Sequence, residues 1–211
     1  MTYVFKPQIA SNKIYSDAPE WKAQFPVFGV PEETSRKIIE IVDAWRFGAR
    51  PSLLGETPKL LIAEKARKIW PDTFVATDAL LVVSDPVRVV IERLDPGIHQ
   101  FFPLTFQTKR GVIIDGPWFA VNVSAKQDSV VMEKSRIVRS KRFPETNNMF
   151  FEDAKDGDVT VDPARLSNLN LWREARFTMS LLGSDTLVKE FKKQGLKFLK
   201  RPSKATQLNE S

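Results

Sequence analysis

Residues 70–103 read WPDTFVATDALLVVSDPVRVVIERLDPGIHQFFP, and the punctuation of this stretch decides the fold. Phe74–Val83 is apolar and rich in β-branched residues, which predicts a strand ending at Ser84-Asp85-Pro86. A serine or aspartate at an N-cap accepts a hydrogen bond from the next turn's free N–H groups, and proline is tolerated at the first helical position. A helix is therefore expected from Pro86 to about Leu94, stopped by Asp95-Pro96-Gly97, with Ile98–Phe106 as the next strand. A second stretch has the same order: Trp172, an apolar run Phe177–Leu182, Ser184-Asp185, a helix over Thr186–Gln194, Gly195 and a strand Leu196–Leu199. From serine to proline (Pro103, Pro202) the two units differ in length by one residue. The expected class is α+β, a mixed or antiparallel sheet with helices packed on it, built around a pseudo-repeat of a strand–helix–strand unit. The plain alternative is that any short strand–helix connection uses a Ser/Asp cap and a Gly stop.

Outward from this core, Val112–Ile114, Trp118–Ser124 and Ser129–Glu133 read as strands, with Asp115-Gly116-Pro117 as a turn. Met149–Glu152 and Val159–Asp162 follow, the latter after an Asp156-Gly157 turn. Toward the N-terminus, Thr34 or Ser35 caps a helix running to Phe47, with Ile38, Ile41, Val42 and Trp45 on its apolar face. Gly48, Pro51, Gly55 and Pro58 mark a connector, and Lys59–Ile69 predicts a second short helix. The expected organisation is a 1–58 segment with one helix, an α+β domain over 59–202, and a tail over 203–211 that frays for want of apolar periodicity.

Composition narrows the chemistry. The 211 residues include one histidine and no cysteine, and 42% are hydrophobic. Thiol nucleophiles, Cys-based zinc sites and iron–sulfur clusters are excluded, as is any two-histidine mechanism. No Walker loop, GxGxxG, GxSxG or HExxH occurs. His99 stands alone, so a site there needs carboxylates, and a structural histidine is the plainer reading. Asp156, Asp158 and Asp162 alternate like calcium ligands, but Val161 and Asn168 stand where an EF-hand requires Gly and Glu. A solvated turn fits them better. Asp185, Glu190 and Lys192 fall at the cap and along one short helix, unlike the converging acids of metal-dependent nucleases. The chain is expected not to be an enzyme and to need no cofactor or metal. With no apolar run near the roughly 18 residues a bilayer span needs and no signal-like N-terminus, a cytoplasmic location is expected.

The net charge of +6 is unevenly placed. Lys134, Arg136, Arg139, Lys141 and Arg142 form one cluster and residues 189–204 another, with acids between them at 152–162. Such patches attract nucleic acid, anionic lipid or an acidic protein, or are simply solvated. Only Phe143 offers a stacking platform in the first cluster, which disfavours single-stranded nucleic acid. Trp118, behind Gly116-Pro117, and Trp172, beside Arg173, are expected to be half exposed and to serve as contact anchors.

Trp70-Pro71-Asp72, Ser84-Asp85, Phe102-Pro103 and Phe119–Val123, followed by Asp128 and Ser135, resemble immunity family eleven of bacterial polymorphic toxin systems. Val161-Asp162, Leu171-Trp172-Arg173 and Ser184-Asp185 with Leu187 fit the C-terminal part of that pattern, so the resemblance covers roughly residues 70–202. It departs at Leu104-Thr105-Phe106, where a P-V-E type stretch is usual. The resemblance implies a cytosolic protein that binds and occludes a toxin made beside it. Combined with the charge, it points to an acidic partner surface steered by Lys134, Arg136, Arg139, Lys141 and Arg142, with Trp118, Trp172 and Arg173 as anchors. The alternatives are a nucleic-acid-associated protein using the two basic regions and a carboxylate-dependent hydrolase using Asp156, Asp158 and Asp162.

Overall fold

A computed structural model describes residues 1–6, 14–16, 59–63, 69–76, 80–136, 138–139, 149–150, 154–196 and 200–208. The helix expected over 34–47 and the connector after it lie outside these residues, as do Lys141 and Arg142. The described strands are β1 (Thr2–Lys6), β2 (Ile14–Ser16), β3 (Leu60–Ala63), β4 (Thr73–Val75), β5 (Leu81–Ser84), β6 (Gln100–Thr108), β7 (Trp118–Asn122), β8 (Lys126–Gln127), β9 (Val138–Arg139), β10 (Met149–Phe150), β11 (Thr160–Val161), β12 (Leu171–Glu174), β13 (Phe177–Ser184), β14 (Lys200–Lys204) and β15 (Thr206–Gln207). Helices α1 (Asp85–Leu94) and α2 (Asp185–Lys193) complete the α+β fold.

Two mixed sheets dominate. One runs β2-β3-β6-β7-β5-β4 and the other β14-β1-β13-β12-β8. In the first, β5 and β6 both lie antiparallel to β7, so α1 joins two strands with a third inserted between them. In the second, β13 and β14 both lie antiparallel to β1, and α2 makes the corresponding connection. The junctions are bonded alike. Ser84 N–H donates to Asp72 O at 2.8 Å, and Ser184 N–H to Asn170 O at 2.9 Å. Asp85 N–H reaches Pro117 O at 3.1 Å, and Asp185 N–H reaches Met1 O at 2.9 Å. The caps differ. Ser184 Oγ accepts from Leu187 N–H at 3.1 Å, whereas the side chain of Ser84 makes no cap bond and donates to Asp72 Oδ1 at 3.3 Å. Pro86 has already removed one of the N–H groups such a cap would serve. Gly195, at φ 69°, supplies the left-handed residue past α2, where Leu196 N–H closes back on Phe191 O at 2.8 Å.

The strands' period of two distributes side chains between layers. Leu81 and Val83 of β5 and Tyr3 and Phe5 of β1 meet Val87, Val90 and Ile91 of α1 and Leu187, Val188 and Phe191 of α2 in one buried cluster. The alternate positions, Leu80 and Val82, face a second cluster with Leu61, Phe74, Phe106 and Trp118. Val4 and Leu182 face a third with Val130, Val161 and Trp172. The helices pack on each other, and Arg93 reaches Glu190 at 2.6 Å across them.

Several expectations are corrected. The segment expected as a helix over 59–69 contains strand β3, because Leu61 and Ala63 at alternate positions are fully buried and the strand pairs parallel with β6. The run Phe74–Val83, expected as one strand, holds residues of two, β4 and β5, which pair antiparallel with Thr73 opposite Val83. Ser129–Glu133 contributes a single bridge, Val130 to Val161, and then turns as a 3-10 helix over Met132–Lys134. His99 lies in the turn before β6. Residues 203–207 do not fray: β14 pairs with β1, β15 pairs with β11, and Ser203 and Ala205 are buried. Thr2–Lys6 runs between β13 and β14, inside the second sheet.

Candidate partner-binding face

The tryptophans expected at the surface are buried. Both β13 and β8 flank β12, so Leu171, Trp172, Arg173 and Glu174 are all enclosed. Trp172 is 1% exposed, and its indole N–H points to Ser129 Oγ at 3.3 Å. Arg173 is 6% exposed and donates through Nε to Val123 O at 2.8 Å, and burial pushes its pKa down to about 10. Both are buried where half-exposed side chains were expected. Glu174 is fully buried as well, and one of its oxygens accepts from Ser129 N–H, Ser129 Oγ and Val130 N–H. Burial raises its pKa against these bonds. This cluster holds β12 to the 128–130 segment.

The basic segment is described in part. Lys134 and Arg136 are exposed at the end of the 3-10 turn, and Arg136 stands 3.9 Å from Asp158. Arg139 lies on β9, paired with Met149. The acids opposite are used locally. Asp158 accepts from Lys155 N–H at 2.8 Å, Asp156 from Lys204 N–H at 2.9 Å, and Asp162 from Ala164 N–H at 3.0 Å. No group of three acids or histidines that could hold a metal occurs among the described residues. His99 Nε2 lies 3.3 Å from Asp95 Oδ2, with both side chains buried. Asp95 also accepts from the N–H groups of Asn170 and Leu171, which makes this pair a tie between the end of α1 and β12.

An accessible cleft lies elsewhere, beside the start of α1. After β6 the chain turns at Gly111 and returns so that Ile113 bridges Gln107. Ile114 tucks into the second core, whereas Val112 and Ile113 are 62% and 57% exposed. Asp115-Gly116-Pro117 then reverses into β7, with Gly116 at φ 111°. The Trp118 indole N–H closes the turn by donating to Asp115 O at 3.2 Å. Between this turn, Trp70 and the Asp72–Ser84–Asp85 junction lies an open cleft of about 480 Å³. Its base is rigid. Trp70 meets Phe106 edge-on at 4.5 Å, and Phe106 meets Trp118 at 5.8 Å. Asp72, Asp85 and Asp115 line it, and among the described residues no lysine or arginine does. Of the residues expected to bind a partner, Trp118 belongs here, as floor rather than protruding anchor. Val112, Ile113 and Asp115 went unselected in the sequence because three apolar residues before an Asp-Gly-Pro turn read as an ordinary buried strand.

Val112 and Ile113 thus form an exposed apolar pair beside a cleft of mixed character. The Immunity protein family (Imm11) matches residues 13–201, and the chain belongs to it. Membership places the chain among proteins of toxin immunity. The match also takes in most of the 1–58 segment expected to pack on the main domain. No curated protein matches the sequence. Among the described residues no helix is long and apolar enough to cross a membrane.

Proposed function

We propose that the chain binds a cognate toxin in the cytosol of the cell that makes both and occludes it. The observation that carries this reading is the family match over residues 13–201. Inhibition by occlusion needs affinity and shape rather than tuned acid–base groups, and affinity concentrates in a few enclosed contacts within a polar rim. The cleft with Val112 and Ile113 offers a place for such contacts. The basic segment steers an acidic region of the toxin, an effect felt mainly in the association rate.

Co-expression tests the proposal. Cells expressing the toxin module encoded beside this chain survive when the chain is present and die when it is absent, and the two proteins co-purify. Death in the presence of well-expressed, folded chain contradicts the reading.

A further inference from the structure

We propose that the cleft between Trp70 and the 112–118 turn receives a lysine or arginine side chain projecting from the toxin. This rests on the toxin-binding reading and names the chemistry of one contact within it.

Charge complementarity identifies the occupant. The chain as a whole carries +6, yet among the described residues the cleft is lined by three aspartates and no cation. Asp85 already holds Arg88 at 2.8 Å, and Asp72 accepts from Ser84. Asp115 is exposed and makes no ion pair among the described residues, so it is the carboxylate open to a visiting cation. The positive end of α1 does not select an anion here, because Asp85 occupies its first turn and Pro86 removes an N–H.

Apolar exposure supplies the rest. Ile69, Val112 and Ile113 are 80%, 62% and 57% exposed, and the latter two line the cleft beside Trp70. Lysine and arginine combine an aliphatic stem with a charged head, so the stem lies on Ile113 and Val112 while the head meets Asp115. A purely apolar side chain would leave the three carboxylates against hydrocarbon, and an acidic one would be repelled.

Two measurements on the full chain test this. In the first, the peptide Ac-Ala-Arg-Ala-NH2 is titrated while the indole N–H resonances of ¹⁵N-labelled protein are followed, the Trp118 signal being assigned with Trp118→Phe. The arginine peptide shifts the Trp118 signal saturably. The citrulline peptide, of the same shape without charge, and the glutamate peptide leave it in place, and Asp115→Asn weakens the arginine response about threefold or more. Absence of a saturable shift, or an equal response to citrulline or glutamate, overturns the proposal. In the second, Ile113→Asp and Asp115→Lys, both on the exposed turn, are combined and tested against the toxin module. Binding weakens about tenfold or more with an unchanged melting temperature. If wild type binds the toxin and this variant binds equally well, the cleft proposal fails and the proposed function stands. If wild type does not bind at all, the proposed function fails, and with it the toxin as occupant.

Discussion

The carboxylate of Asp95, at the C-terminal end of α1, accepts the backbone N–H of Leu171 at 2.8 Å, where β12 begins. It also accepts from the N–H and side chain of Asn170 and from the His99 ring. One buried carboxylate thus joins the helix carried by one sheet to a strand of the other. Removing it leaves several buried donors unsatisfied. Asp95→Ala is expected to destabilise the fold by about 2–4 kcal/mol in urea denaturation. A change under about 0.5 kcal/mol, within the range of an ordinary surface substitution, would show that the tie contributes little.

The same group sets an acid limit. Desolvation raises the Asp95 pKa, but the hydrogen bonds from His99, Asn170 and Leu171 outweigh it and hold the carboxyl below its usual range. Its contribution is present above the unfolded carboxylate value, about 3.9, and is lost as pH falls through the folded value. Unfolding free energy measured between pH 5 and 2 therefore falls more steeply for wild type than for Asp95→Asn. Parallel curves contradict this.

Glu174 has the opposite sign. Burial raises its pKa above the unfolded value, so its contribution is complete below that value and lost as pH rises through the folded one. Glu174→Gln removes this loss. From about pH 4 upward, the stability of Glu174→Gln relative to wild type is expected to increase. A pH-independent difference would place the charged form at no disadvantage in the fold.

Gly183 faces Phe5 across β13 and β1. A Cβ there would run into the Phe5 ring and stand 3.2 Å from Asn170 O. Gly183→Ala is expected to cost about 1–3 kcal/mol. Adding Phe5→Leu recovers part of that cost, because the two changes relieve one clash. Thermal melts of both single variants and the double variant measure the coupling, and strict additivity contradicts it.

How far these features could be read beforehand depends on range. Ser84-Asp85-Pro86 and Ser184-Asp185 announced both helices, because capping and proline effects act within a turn. Gly195 likewise marked the end of α2. Strand β3 was hidden, since a four-residue apolar run has no resolvable period and its identity comes from pairing with β6, more than 40 positions away. The order of the C-terminal strands was hidden for the same reason: Lys200–Lys204 is polar, and its place follows from β1. Trp172 and Arg173 were misjudged because an arginine beside a tryptophan looks like a surface anchor, whereas strands on both sides enclose β12. The cleft required the turn at Gly111 and the aromatic base to be placed together, and no local motif encodes that.

Steering by the basic segment has its own signature. Lys134→Glu with Arg136→Glu is expected to slow association with the toxin about tenfold at low salt while changing dissociation little. The difference shrinks as salt screens the charges. An unchanged association rate would remove this segment from the encounter.

Titrating the chain into a fixed amount of the neighbouring toxin module, with residual toxin activity as the readout, tests the central claim most directly. Tight occlusion predicts a linear fall to near zero with a break at a fixed stoichiometric ratio. Full toxin activity at a large excess of folded chain would contradict it.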